Sequence, residues 1–379
     1  MGADVNRLLL AHELGQSIWL DQISREMIAS GKLEDLALEG VFGVTTNPSI
    51  FEKALSEGSA YDEQITALVA QGLQAPAVLD RLMLDDVQAA CDVLRPVYDK
   101  THGRDGFVSI EVSPALAYDS DATAAEAQRL WKAVSRPNVM IKIPGTAEGL
   151  PAIRTCLAAG ININITLMFS MAHYEAVVEA YFAALEDRLA GGRNGHGIAS
   201  VASFFVSRLD SLADKVIDER LEAGVSDADR EALVALKGGV AVANCKLVYQ
   251  RFMELFESPR WLRLADNGAA VQRVLWASTS TKNPAYPELL YVEPLIGPQT
   301  VNTLPATTLD AFGDHGVVEP TVERDVEAAQ TVFAAAERCG LDVGAMTEKL
   351  QVDGVAAFQK SFDGLLAMVA EKCRKLGAA

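Results

Sequence analysis

Eight short apolar runs alternate with longer amphipathic stretches along this chain, and that alternation restricts the fold more than any other feature. The runs fall at 17–21, 43–47, 107–112, 139–144, 161–167, 199–206, 273–278 and 289–295. Apolar residues at helical spacing mark 119–135, 146–159, 170–190, 207–222 and 227–257. Strand and helix in alternation call for a parallel sheet with helices outside it. Eight such units predict an α/β fold of the closed (β/α)8, or TIM, barrel type. A doubly wound open sheet is the alternative, because periodicity alone does not close a barrel.

After the eighth run, 297–321 reads as a polar loop, and 322–339 and 354–376 read as helices packed on the barrel. No segment is rich enough in Gly, Pro or Ser to mark a linker. Residues 1–379 are therefore expected to form one domain, with 310–379 as a C-terminal helical extension. The glycine-rich AGGRNGHG at 190–197 lacks the GK[ST] ending of a phosphate-binding P-loop and reads as a turn.

Side chains alternate across a strand, so each run has two faces. In GININITL, Ile161, Ile163, Ile165 and Leu167 share one face, while Asn162, Asn164 and Thr166 share the other. The same parity sets Ser109 and Glu111 opposite Val108, Ile110 and Val112, and Met140 and Lys142 opposite Val139, Ile141 and Ile143. In a barrel the apolar face meets the helices, so the polar face must look inward, where stability alone would favour aliphatic layers. Asp21, Thr45, Asn47, Ser203 and Ser278 fall late in their runs, at the end where barrel enzymes assemble their sites. Each has a plainer reading: Asp21 as a helix cap, Asn47 before Pro48 as a turn, Glu111 as the ion-pair partner of Lys142. Many such residues together are harder to explain that way, since an unsatisfied polar group in a barrel interior costs about 1–3 kcal/mol.

Lys142 is the residue that demands chemistry. Desolvation penalises an ammonium and favours the free amine, which condenses with a ketone to a Schiff base. The protonated imine then withdraws electrons and lets a neighbouring C–C bond break or form. Such a reaction needs a carboxylate for the substrate hydroxyl and another to shuttle protons through water, and Asp21 and Glu111 are available. Arg208 and Lys282 follow the sixth and seventh runs, where barrels bind phosphate, although either would serve equally as a solvated surface charge.

The formal net charge of −18 argues against binding to nucleic acid or to an anionic membrane surface. Five cysteines without a CxxC pair and five scattered histidines suggest neither a disulfide framework nor a metal site, and a reducing cytoplasm is expected. The first residues, MGADVNRLLLAHELGQS, have too short an apolar core for a secretory signal, and no run approaches the length of a membrane helix.

The segments GVTTNPSIFEKAL, VSIEVSP, NVMIKIPGTAEGLPAI, GININITLMFS, SFFVSRLDSLADK and LWASTSTKNP, with a closing GVAAFQKSFDGLLA, occur in the order found in transaldolases, and the chain resembles that family over nearly its whole length. The resemblance implies Lys142 as the Schiff-base lysine and Asp21 as the acid/base at the substrate hydroxyl. It implies Glu111 and Thr166 around a catalytic water, and Asn47, Asn164 and Ser203 orienting hydroxyls of a dihydroxyacetone unit. It also implies Arg208 on the sugar phosphate and no cofactor or metal. The implied reaction moves dihydroxyacetone from sedoheptulose 7-phosphate to glyceraldehyde 3-phosphate, giving erythrose 4-phosphate and fructose 6-phosphate, in a monomer or homodimer. One departure stands out: where many transaldolases carry Ser-Phe-Arg, this chain has WASTSTKNP, so Ser278 or Ser280 with Lys282 is expected to replace the phosphate-binding pair. A fructose-6-phosphate aldolase is the nearest alternative, and Glu111 and Phe205 favour the transferase over it. A non-catalytic sugar-phosphate binder would have lost Lys142, Asp21 or Glu111. Thr300 and Asn302, in the loop expected at 297–321, are further candidates for holding phosphate at the mouth.

Overall fold

The computed structural model describes residues 6–56 and 58–377; residues 1–5, the start of the segment weighed as a signal, lie outside the described residues. Eight parallel strands close into a barrel in sequence order. They are Gln16–Leu20 (β1), Val41–Val44 (β2), Phe107–Glu111 (β3), Val139–Pro144 (β4), Ile163–Met168 (β5), Ser200–Phe205 (β6), Arg273–Ala277 (β7) and Thr300–Leu304 (β8). The open-sheet alternative is thereby excluded. Helices surround the barrel, and the isoleucines at 141, 143, 163 and 165 are fully buried against them, as the strand parity requires.

The eighth strand differs from the expectation. Residues 289–295 form turns and a short 3-10 helix, Glu293–Leu295, and the strand lies instead within the segment expected to be loop. The run is apolar because Leu289, Tyr291, Val292 and Leu295 are buried in the outer core. The Leu295 carbonyl accepts from the side chains of Gln16 and Trp276 and makes no ladder bond of its own. TVNTL is polar yet buried on both faces, and its register from Gln16↔Thr300 to Leu20↔Leu304 seals the barrel. The same expected loop also holds the helix Ala306–His315. Likewise 227–257 breaks into Asp227–Leu236 and Val240–Phe256, with Gly238 between them at φ +70°. The last helix is longer than expected: Val343–Gly377 packs on Pro48–Ser56 and Asp62–Ala70 and reaches β5.

The barrel interior is divided along its axis. Its N-terminal half is filled by Trp19, Phe107, Met140, Val201, Leu275 and Val301. An ideal Cβ on Gly43 would sit 2.5 Å from the Trp19 ring, so only glycine admits that indole. Beneath this layer the buried Asp105 carboxylate accepts from Ser17 Oγ at 2.8 Å, Trp19 Nε1 at 3.1 Å and Arg273 at 3.0 Å. Replacing Asp105 by alanine would leave a buried guanidinium without its counter-charge and should cost about 3–5 kcal/mol. A urea titration showing an unchanged midpoint would contradict that assignment. Among the described residues, no single helix is long and apolar enough to cross a membrane.

Candidate active site

At the C-terminal ends of the strands lies a cavity of about 260 Å3, lined by Asp21, Asn47, Lys142, Thr166, Ser203, Phe205, Arg208, Ser278, Ser280 and Lys282. A cavity of similar size, about 270 Å3, opens at the opposite face around Arg104 and Arg273 but contains none of the candidate residues. The chemistry therefore points to the first.

Lys142 reaches the floor because β4 alternates, with Val139, Ile141 and Ile143 outward and Met140 and Lys142 inward. Strand register then sets Glu111 beside it on β3 and Asn164 on β5. Lys142 Nζ donates to the Thr46 carbonyl at 3.0 Å and stands 4.0 Å from Glu111 Oε2. That separation is too long for a direct hydrogen bond, so the amine is not spent on a close ion pair. Both Glu111 carboxyl oxygens and the Thr166 hydroxyl are buried without a hydrogen-bond partner among the described residues. Burial pushes the Glu111 carboxyl up to about 7, against the pull of the Lys142 charge.

Asp21 sits one residue past β1 and its Oδ1 accepts from Thr45 Oγ1 at 2.8 Å; Thr45 Oγ1 in turn is 2.6 Å from Thr303 Oγ1. Burial raises the Asp21 pKa, while Lys142 and the Thr45 hydroxyl oppose the rise. Asn164 does not itself line the cavity: its Nδ2 donates to Ser109 Oγ at 3.0 Å and its Oδ1 accepts from Ser203 Oγ at 2.6 Å, so it holds Ser203 in place.

Arg208 opens the helix Ser207–Ala223, and its guanidinium carbon lies 4.9 Å from the Phe205 ring centre and 5.8 Å from that of Phe358. It forms no ion pair or side-chain hydrogen bond among the described residues, which leaves its N–H groups for an anion. Lys282 Nζ donates to Ser280 Oγ at 2.7 Å across the rim, and its pKa is lowered by burial and then by the charge on Arg208. Two cations crowded together at one mouth would be relieved by phosphate.

Ser278 reaches the cavity for a reason other than strand parity. The inward residues of β7 are Arg273, Leu275 and Ala277, and Ser278 lies past the strand with φ +57° and its Oγ 3.0 Å from Ser207 Oγ. The following loop is tied to the helix Ser207–Ala223 by Tyr286, which donates to Asp214 Oδ2 at 2.6 Å, and by Tyr291, which donates to Asp210 Oδ2 at 3.0 Å. Replacing Tyr286 by phenylalanine should therefore raise KM for a phosphorylated substrate a few fold with kcat nearly unchanged, because the tie acts on the phosphate only through the loop, so only part of the about 1.5–3 kcal/mol of a hydrogen bond to a charged group is felt there. An unaltered KM would show that the tie does not position Lys282.

Thr300 and Asn302 do not reach the mouth. They lie in a strand, both are fully buried, and both turn to the outer face of β8, opposite Val301 and Thr303. Thr300 Oγ1 bonds Gln16 and the Gly297 carbonyl, and Asn302 Oδ1 accepts from Thr279. Thr303 and Pro305, in and just past β8, also line the cavity, as do Ser49 and Phe358; none of the four is marked by the alternation of the apolar runs.

A family model described as Transaldolase/Fructose-6-phosphate aldolase matches residues 18–369. The chain belongs to that family. It is 46% identical to "Transaldolase 2" of Nostoc sp. over 98% of this chain and 99% of that protein. It is 44% identical to a "Transaldolase" of Trichodesmium erythraeum over 98% of each chain. "Transaldolase 1" of Streptomyces avermitilis is 48% identical over 96% of this chain and 95% of its own.

Proposed function

We propose that the protein is a transaldolase that transfers a dihydroxyacetone unit from sedoheptulose 7-phosphate to glyceraldehyde 3-phosphate through a Schiff base on Lys142. The observation that carries this reading is a buried amine beside a carboxyl whose oxygens are unpartnered, on the floor of a cavity with two cations at its rim.

Lys142 Nζ attacks the ketone carbon, and loss of water from the carbinolamine gives the iminium. Glu111 and Thr166, with hydrogen-bonding capacity to spare, hold that water and move its protons. Asp21 takes the proton from the C4 hydroxyl as the C3–C4 bond breaks, and the electron pair flows into the iminium to leave an enamine. The first aldehyde departs and the acceptor enters. The enamine carbon then attacks the acceptor carbonyl, Asp21 returns its proton to the new hydroxyl, and hydrolysis frees the lysine. Asn47 and Ser203, the latter held by Asn164, orient the hydroxyls, and Phe205 walls the pocket beside Arg208. Arg208, Ser278, Ser280 and Lys282 bind the phosphate. The free cysteines, three of them buried, suit a reducing compartment.

The direct test supplies sedoheptulose 7-phosphate with and without glyceraldehyde 3-phosphate. Fructose 6-phosphate formed only in the presence of the acceptor supports transfer; free dihydroxyacetone formed at the same rate without it indicates an aldolase instead. Replacing Arg208 by leucine should raise KM for fructose 6-phosphate by at least about tenfold, the scale of one lost charge-assisted contact. An unchanged KM would move the phosphate elsewhere.

A further inference from the structure

The cavity is closed from above by a helix that the reaction scheme leaves unused. Gln351, Gly354, Val355 and Phe358 recur at helical spacing on Val343–Gly377 and form the face that meets the mouth. Gln351 Nε2 donates to the Gly145 carbonyl at 3.1 Å and to the Leu167 carbonyl at 3.0 Å, pinning the helix to the ends of β4 and β5. Leu167 holds φ +61°, a strained conformation for a residue with a side chain, and its carbonyl is the one Gln351 reaches. An ideal Cβ on Gly354 would lie 2.9 Å from Leu167 Cδ2 and 3.6 Å from Arg208 Nη1, so the helix sits as low as a residue without a side chain permits. The Phe358 ring, 6% exposed, has its centre 5.7 Å from Lys142 Nζ and 5.8 Å from the Arg208 guanidinium carbon. One apolar side chain thus spans the reacting end and the phosphate end.

Resting on the transaldolase reading, we propose that Phe358 is a specificity-determining residue that favours transfer over release. The enamine on Lys142 has two fates. Its carbon can attack an aldehyde, with the resulting alkoxide taking a proton from Asp21. Alternatively the carbon takes up a proton, water adds to the iminium carbon, and the C–N bond breaks to give free dihydroxyacetone and the amine. Both routes end in the same hydrolysis of an iminium, so release differs from transfer in the proton taken up by the enamine carbon, and an apolar cover restricts the bulk water that would deliver that proton. The one water the cycle needs is held below, at Glu111 and Thr166, away from the ring.

The test measures, in one preparation, dihydroxyacetone released from fructose 6-phosphate and transfer to erythrose 4-phosphate. Their ratio does not depend on how much enzyme is active. Phe358→Ala should raise release relative to transfer about tenfold, and Phe358→Leu, which restores apolar bulk, should lie near the parent. Gln351→Met, which unpins the helix without touching the cavity lining, should shift the ratio in the same direction by less. It carries the test if Phe358→Ala does not fold. A ratio unchanged in the folded variants, with both rates falling together, overturns the proposal and leaves Phe358 as packing. A parent protein that neither transfers nor forms a borohydride-trapped adduct on Lys142 overturns the transaldolase reading itself.

Discussion

Lys142→Ala loses transfer activity by roughly 10⁴-fold or more while keeping its fold, because the other amine lining the cavity, Lys282, sits at the rim on Ser280 rather than beside Glu111. The measurement is reduction with borohydride in the presence of fructose 6-phosphate, followed by peptide mass spectrometry. A dihydroxyacetone-sized adduct should appear on the peptide containing Lys142 and be missing from the variant. A folded parent protein that gives no adduct would make Lys142 a structural charge and leave its 4.0 Å approach to Glu111 as a loose ion pair.

Glu111→Gln should lower kcat by about 10²–10⁴, the range for loss of a general acid/base, and should also change the pH profile. With the carboxyl at about 7, the parent loses kcat/KM as the pH falls through neutrality and the carboxylate that accepts protons disappears. The amide has no such ionisation, so the acid limb near 7 should vanish in the variant. Stability carries the same signature with a definite sign. Between pH 4.5 and 7 the folded protein keeps a proton on Glu111 that the unfolded chain has released, so this group's contribution is most favourable below about 4.5 and is lost as the pH rises to about 7. The loss amounts to roughly 3 kcal/mol at about 1.4 kcal/mol per unit. An unfolding midpoint that responds equally to pH in parent and variant would place the carboxyl's titration elsewhere.

The strands that carry the lysine were legible because parity is a local property. VMIKIP and ININITL each bury both faces, and up to Ile165 only the outward one is uniformly apolar; on the other face Lys142 and Thr166 line the cavity and Asn164 holds Ser203 beside it, while Leu167, at φ +61°, turns to the inner cluster. Parity carries Asp21 and Thr45 past their strand ends into the cavity but fails at the end of β7. Asp21, Thr45, Asn47 and Ser278 all lie past the last ladder residue, and Ser278 gets its direction from a left-handed backbone that no alternation rule describes. The eighth strand was hidden because a core segment beside Trp276 and Gln16 carried more apolar residues than the strand itself. Phe358 lies in GVAAFQKSFDGLLA, but nothing in that segment marks it as lining a cavity. Its helical spacing with Gln351 marks a face, but only the folded chain shows that this face lies over a lysine more than two hundred positions away.

The closure of β1 against β8 bears on when the chain becomes reactive during its own synthesis. Glu111 and Lys142 come from neighbouring strands and can meet early, but Asp21 has its backbone N–H bound to the Leu304 carbonyl and its Thr45 partner bridged to Thr303. The carboxyl proposed as the acid/base therefore acquires its surroundings only after residue 304 has left the ribosome and docked, and the cover from Phe358 arrives later still. A nascent or truncated chain would carry the nucleophile without the acid/base or the roof. Contacts this distant in sequence form late in folding, which makes activity in this barrel a property of the finished polypeptide.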